Sequence, residues 1–135
     1  MNKFIFLVTL SISTLLFTGC GSSDNTTVVV PPPEADTLYL DDGAGGLAGV
    51  SYTCTSGSGF TNTQGAFTFY AGDNCTFDLT GFDGTVFLFD PLFLDYNDAT
   101  GVADIGYDCV SGTFGSTDVD GSFDYDTDDE CTFYL

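Results

Sequence analysis

LYLDDGAGGLAGVSYTC (residues 38–54) is echoed by LFLDYNDATGVADIGYDC (92–109), and TSGSGFTNTQGAFTFYAGDNCTFDL (55–79) is echoed by VSGTFGSTDVDGSFDYDTDDECTFYL (110–135). Both copies keep two cysteines, several glycines and a set of aromatic residues in the same order. Two single-residue insertions in the second copy bring the remaining positions into line. These matches indicate an internal duplication of one structural unit.

Each copy consists of short segments in which apolar and polar residues alternate. Val50, Tyr52 and Cys54, for example, fall on one face of an extended segment. Clusters of Gly, Asn, Asp, Ser and Thr separate the segments, as in turns, and apolar residues never recur with helical spacing over ten residues. The sequence therefore predicts an all-β protein, in which two tandem short-strand repeats form a small antiparallel β-sandwich stapled by disulfides. The apolar run Thr85–Phe89 fits a buried strand of the first unit or a bridge between the units.

The second copy also contains the pattern Gly-x-x-Asp-x-x-Gly-x-Phe-x-Tyr followed by Cys-Thr-Phe. The residues concerned are Gly115, Asp118, Gly121, Phe123, Tyr125, Cys131, Thr132 and Phe133. The first copy keeps Gly65, Phe67 and Phe69 and has Asn62 in place of the aspartate. This pattern resembles the repeat modules of bacterial surface lipoproteins, which are similar to transthyretin-like or carboxypeptidase-regulatory-like β-sandwiches. The resemblance implies an architecture and a cell-surface location, and no particular activity, because such modules serve many functions.

Residues 1–20, MNKFIFLVTLSISTLLFTGC, have the layout of an export signal. Lys3 precedes an apolar stretch, Phe4–Phe17, that is short for a membrane span. The ending Phe-Thr-Gly-Cys resembles the bacterial lipobox, which implies lipid attachment at Cys20. The alternative is an ordinary secretory signal that leaves Cys20 as a free thiol. Gly21 follows the cysteine where an aspartate would favour inner-membrane retention, so we expect an outer-membrane or cell-surface lipoprotein.

These features divide the chain into four parts: a signal peptide (1–19), a lipidated tether (20–37), β repeat 1 (38–90) and β repeat 2 (91–135). The tether is rich in small polar residues and ends in Pro31–Pro33, which favour an extended spacer. Val28–Val30 could alternatively start a first strand.

Four cysteines remain once Cys20 is assigned to the lipid, and three pairings are possible. Because equivalent positions should pair equivalently, the duplication favours Cys54–Cys75 with Cys109–Cys131 over the two pairings that link the repeats. Those alternatives are Cys54–Cys109 with Cys75–Cys131, and Cys54–Cys131 with Cys75–Cys109. A four-cysteine zinc site is disfavoured because C-x-x-C spacing is absent and exported proteins meet oxidising conditions.

The charge balance excludes several classes of function. The chain has 20 Asp and Glu, one Lys or Arg and no His, which gives a formal net charge of −19. Its single base, Lys3, belongs to the predicted signal peptide. Nucleic acid is therefore not an expected partner. Acid–base catalysis by His or Lys is excluded as well, and we expect a protein that is not an enzyme.

The acids concentrate in residues 118–130, DVDGSFDYDTDDE, whose counterpart in the first repeat is nearly neutral. Calcium binds such oxygen donors, so the segment is a candidate metal site. The candidate ligands are Asp118, Asp120, Asp128, Asp129 and Glu130. The alternative is a solvated acidic face whose repulsion is screened by salt.

The expected function is that of a non-enzymatic exported lipoprotein, a structural or adhesive component of the bacterial cell surface. The alternative is a calcium-dependent binding module for a glycan or a partner protein. Aromatic residues beside Asp and Asn acceptors make glycan binding conceivable, although the alternating Phe and Tyr are expected mainly in the core.

Overall fold

Two antiparallel sheets are built from ten short strands in the computed structural model, which describes residues 30–82, 91–97 and 99–135. The strands are β1 (Ala35–Asp41), β2 (Ser51–Cys54), β3 (Gly57–Phe60), β4 (Ala66–Tyr70), β5 (Asn74–Asp78), β6 (Leu92–Asp95), β7 (Gly106–Cys109), β8 (Phe114–Ser116), β9 (Ser122–Phe123) and β10 (Glu130–Tyr134). The described residues contain no helix that is long and apolar enough to cross a membrane. The prediction of an all-β fold with disulfides is confirmed.

The two repeats share both sheets. The smaller sheet has the order β4-β1-β6-β9 and the larger has the order β3-β2-β5-β10-β7-β8. In each order the first half comes from repeat 1 and the second half from repeat 2. Equivalent strands meet at the centre, where β1 pairs with β6 and β5 pairs with β10. Pro31–Leu135 accordingly form one compact unit.

The register at these central pairs reveals an approximate two-fold axis through the sandwich. Leu40 pairs directly with Leu94, its counterpart in the other repeat. In the larger sheet Thr76 pairs with its counterpart Thr132, and their hydroxyl oxygens lie 2.7 Å apart. A residue can face its own counterpart in an antiparallel pair only when a two-fold axis passes between the two strands. The duplication is therefore built as a two-fold arrangement of half-sandwiches.

The core is formed by the inward faces of both sheets and is nearly symmetric. Phe67 of the smaller sheet contacts Phe77 of the larger sheet edge-on, with ring centroids 4.7 Å apart. The equivalent pair in repeat 2, Phe123 and Phe133, has ring centroids 4.8 Å apart. Phe77 and Phe133 then contact each other across the axis at 5.7 Å. Edge-to-face packing of this kind adds to the stabilisation gained from burying the rings.

Disulfides join Cys54 to Cys75 and Cys109 to Cys131. In each repeat the two cysteines stand directly opposite each other on neighbouring strands. This is the within-repeat pairing that the duplication favours.

Strand β1 begins before residue 38, the predicted start of β repeat 1. Ala35–Asp41 form β1, and its first residues pair with the end of β4. Backbone pairing with a neighbouring strand can order a polar segment that has no apolar pattern of its own. The predicted signal peptide, Cys20, most of the Val28–Val30 run and the Thr85–Phe89 run lie outside the described residues.

Candidate functional site

The outer face of the six-stranded sheet carries one row of side chains that crosses all six strands. Successive partners along this row are Ser58, Thr53, Thr76, Thr132, Asp108 and Phe114. The repeat 1 half of the row consists of small hydroxyl residues. The repeat 2 half ends in a carboxylate and an exposed aromatic ring, so the two halves of one surface differ in chemistry.

Three residues of repeat 2 form what we call the aromatic patch: Asp108, Phe114 and Tyr134. The Tyr134 hydroxyl donates a hydrogen bond of 2.6 Å to Oδ2 of Asp108. Phe114 stands opposite Asp108 in the β7–β8 pair and is 80% exposed. Tyr134 is 47% exposed. An aromatic ring on each side of a carboxylate therefore faces outward from this sheet.

The Tyr134 ring lies over Gly106 of the adjacent strand. A Cβ atom placed on Gly106 would lie 3.4 Å from Cδ2 of Tyr134, so the ring rests on the backbone where a side chain is missing. Together with the bond to Asp108, this contact holds the ring at two points. Tyr134 is consequently a positioned ring rather than a freely rotating surface side chain.

The aromatic patch borders an open groove with a volume of about 540 Å³. Its lining includes Tyr107, Asp108, Gly112, Thr113, Phe114 and Tyr134. Gly112 has a φ of +97°, and it forms a tight turn by donating its N–H to the Cys109 carbonyl. A Cβ atom added to Gly112 would meet nothing within 4 Å, so the groove is open at this turn.

The electrostatics of the patch follow from the hydrogen bond to Asp108. The bond to the Asp108 carboxylate raises the pKa of Tyr134 above its usual value, with smaller contributions from burial and from the negative charge of Asp108. The phenol therefore stays protonated, and it remains a donor to Asp108, throughout the neutral pH range.

The equivalent positions in repeat 1 hold Asp78, Thr53 and Ser58 in place of Tyr134, Asp108 and Phe114. Asp78 accepts hydrogen bonds from the N–H and hydroxyl of Thr80, and the hydroxyl bond is the largest cause of its lowered pKa. The fold thus forms at the symmetric location without any aromatic ring. The patch is not required to build the sheet.

The acidic segment gives several of its carboxylates local partners. Asp120 accepts hydrogen bonds from the N–H and hydroxyl of Ser122, and the hydroxyl bond is the main cause of its lowered pKa. Oδ1 of Asp128 accepts a hydrogen bond from the Gly81 N–H. These contacts brace turns within the acidic segment and across to repeat 1.

Asp129 is the most extensively bonded of the five candidate ligands. Its carboxylate accepts hydrogen bonds from the N–H groups of Ser111, Asp126 and Glu130 and from the Ser111 hydroxyl. Burial raises its pKa, but these four bonds outweigh burial and the pKa is lowered. Asp73, its counterpart, accepts bonds from the Ser56 hydroxyl and the Tyr70 N–H. The shared role of both residues is to fix the turn before β5 or β10.

The five candidate calcium ligands do not come together as one cluster. Within the described ranges, groups of three potential ligand atoms within 4.8 Å of one another occur at Cys54–Asp73–Cys75 and Cys109–Asp129–Cys131. In both groups the cysteines are joined in a disulfide and the aspartate is hydrogen-bonded to its turn. Asp118 and Glu130 are exposed, and calcium binding by the segment stays a prediction.

Sequence reasoning did not single out the aromatic patch, although part of the signal is visible in the alignment of the repeats. CTFDL in repeat 1 becomes CTFYL in repeat 2, and YTC becomes YDC. The alternation places both changes on the outward face. What the sequence does not give is the strand order, which sets β10, β7 and β8 side by side and so brings Tyr134, Asp108 and Phe114 together.

Comparison with known proteins gives no relative for this chain. No protein-family model, curated protein or solved structure matches it. Functional conclusions therefore rest on the chain's own residues.

Proposed function

We propose that this protein is a non-enzymatic, exported lipoprotein that acts as an adhesive component of the bacterial cell surface. In this proposal the lipid is attached at Cys20, a short segment links it to the sandwich, and the sandwich presents the outer face of its larger sheet to a partner. Anchoring by acyl chains leaves such a domain free in the aqueous phase.

One observation carries the binding role: the two repeats share a core but differ at one outer location. Thr53, Ser58 and Asp78 occupy these three positions in repeat 1, whereas repeat 2 has Asp108, Phe114 and Tyr134 there. Exposed aromatic rings keep apolar surface in contact with water and contribute nothing to the core, so their presence at one of two equivalent sites favours recognition as the reason.

The anchoring step is tested by fractionating cells that express Cys20→Ser, with Ser22→Ala as the matched control. We expect the native protein and Ser22→Ala to pellet with membranes and to incorporate a clickable palmitate analogue. Cys20→Ser should lose both properties. If Cys20→Ser stayed in the membrane pellet, lipid anchoring at this residue would be wrong.

The adhesive step is tested in cells that display the anchored protein. Phe114→Ala should reduce the attachment of these cells to their substratum, while Phe60→Ala should not. Phe60 is a suitable control because it is 70% exposed on β3, the opposite edge strand of the same sheet. Equal attachment by both variants would count against the patch as the adhesive surface.

A further inference from the structure

We infer that the groove beside the aromatic patch is a binding site for a neutral glycan, with the Tyr134 ring as the stacking platform and Asp108 as the principal acceptor. This inference rests on the proposed role of the patch as a binding surface and assigns that surface a class of ligand.

The first requirement of a sugar site is a flat apolar surface that is already in place. Cδ2 of the Tyr134 ring lies beside Gly106, and the hydroxyl is held by Asp108, while 47% of the side chain stays exposed and can be reached by a ligand. The C–H groups on one side of a pyranose ring can pack against such a ring. Because Tyr134 is already positioned, little conformational entropy is lost when the ligand binds.

The second requirement is a small number of polar groups close to the platform. Tyr134 occupies one oxygen of Asp108, and the carboxylate has a second oxygen that can accept a bond from a sugar hydroxyl. The Ser111 hydroxyl donates its one proton to Asp129, so the Thr113 hydroxyl, 3.2 Å from the Ser111 oxygen, can donate to Ser111 and keep its own oxygen as an acceptor. Thr113 and Asp108 both line the groove, so the hydroxyl groups of a sugar meet two acceptors there.

The charge of the protein selects against anionic ligands. The described residues include no Lys, Arg or His, so nothing in this part of the chain could neutralise a phosphate, sulfate or uronic acid. Sulfated glycans, uronic-acid polymers and nucleic acids are consequently repelled.

A cationic peptide is the other class of ligand that these charges could attract, but the groove is not where the acids are densest. Among the described residues that line the groove, Asp108 is the one carboxylate, and its charge is already shared with the Tyr134 hydroxyl. Residues 118–130 carry seven acids and would hold a cation more strongly. Two rings, one acceptor and a hydroxyl fit a neutral sugar better.

The experiment uses the full chain carrying Cys20→Ser, so that binding does not depend on whether the lipid anchor exists. An array of neutral oligosaccharides (β-glucans, mannans, galactans and N-acetylglucosamine oligomers) is probed beside sulfated and uronic-acid oligosaccharides. The strongest binder is then titrated by tyrosine fluorescence, which is direct because the chain has no tryptophan.

We expect binding to at least one neutral class and none to the anionic ones. Tyr134→Ala should weaken binding at least tenfold. Tyr134→Phe, which keeps the ring but loses the bond to Asp108, should weaken it two- to fivefold. Tyr96→Ala is the matched control because Tyr96 is 53% exposed outside the groove, and it should bind as the parent does. Circular dichroism verifies that each variant is folded.

Three results would overturn the inference: no neutral glycan bound, binding unchanged in folded Tyr134→Ala, or preferential binding of an oligolysine peptide that depends on Tyr134. If no neutral glycan bound, or if the oligolysine peptide bound preferentially, the adhesive proposal would stand but its ligand would be of another class. If binding were unchanged in folded Tyr134→Ala, the glycan site would lie elsewhere on the protein. Loss of cell attachment in Phe114→Ala without any glycan binding would likewise separate the two proposals.

Discussion

Repeat 1 and repeat 2 bury equivalent rings at nearly equal distances, yet they expose different side chains. The Tyr52–Phe67 and Tyr107–Phe123 ring centroids are both 5.7 Å apart. At the surface, Gly49 and Gly72 have positive φ angles, and their counterparts in repeat 2 are Asp104 and Asp128, also with positive φ. Aspartate tolerates this conformation better than most residues. Two of the additional acids of repeat 2 therefore occupy positions where the backbone conformation tolerates aspartate. The duplicated unit constrains the interior far more than the surface.

The largest expected effect concerns Gly65 and Gly121, the equivalent glycines at which two backbone segments approach each other closely in each repeat. A Cβ atom on Gly65 would lie 2.1 Å from the Leu40 carbonyl oxygen, and one on Gly121 would lie 2.3 Å from that of Leu94. Each residue also has a positive φ, so alanine adds strain as well as overlap. We expect Gly65→Ala and Gly121→Ala each to lower the free energy of unfolding by about 4 kcal/mol in urea titrations.

Gly72→Ala and Gly112→Ala are the controls for this prediction. Both positions have positive φ, but an added Cβ would meet nothing within 4 Å. Each substitution should lower the free energy of unfolding by only about 1 kcal/mol, which is the cost of a positive φ angle for alanine. Equal losses at all four positions would show that close approach of the backbones is not what requires glycine.

The disulfides should give the next largest effect, and the same one in both repeats. They close loops of 21 and 22 residues, which in the chain-entropy model corresponds to about 3 kcal/mol each. Replacing both cysteines of either pair by serine should therefore reduce the unfolding free energy by nearly equal amounts. A large difference between the two double variants in the loss of unfolding free energy would indicate that one repeat depends more on its disulfide than the symmetric core suggests.

The sequence could predict this shared framework because duplication supplies a second copy of every structural signal. Paired positions such as Cys54 and Cys109, or Gly65 and Gly121, are recognisable without coordinates. The sheet order was not predictable, because the β1–β6 and β5–β10 pairings join the repeats and no local pattern encodes them. The role of Asp129 was also missed, since composition cannot distinguish a carboxylate that binds backbone N–H groups from one that is free to bind calcium.

Asp129 and Asp73 allow a sharper comparison, because Asp129 in the turn before β10 accepts more hydrogen bonds than Asp73 in the equivalent turn before β5. The Asp129 carboxylate accepts four hydrogen bonds. Asp129→Asn should therefore lower the free energy of unfolding by about 2 kcal/mol. Asp73→Asn should cost less, because Asp73 has fewer donors. Both effects are measured as unfolding free energy at pH 7. A greater loss for Asp73→Asn would contradict the count of donors as the determinant.

The same two carboxylates predict how stability depends on pH. Their pKa values are lower in the folded protein than the 3.8 of the unfolded chain, so the folded state releases these protons more readily. The resulting stabilisation is present above pH 4 and is lost as pH falls through the folded pKa. Thermal melts from pH 6 to pH 2 should show this loss, and Asp129→Asn should make the decline shallower. An unchanged slope in that variant would mean that other acids dominate the titration.

The smallest expected effect concerns Thr76 and Thr132, which pair on the approximate two-fold axis between the repeats. Thr76 and Thr132 join through hydroxyl groups 2.7 Å apart on a partly buried part of the outer face. A cross-strand threonine pair is worth about 0.5 kcal/mol, which a double-mutant cycle of Thr76→Val and Thr132→Val can resolve. Because the site is symmetric, each single variant should cost the same amount, and the double variant should cost less than the sum of the two. Fully additive losses would mean that the hydroxyls do not couple the repeats, and that the axis is held by the Phe77–Phe133 contact and the backbone ladder alone.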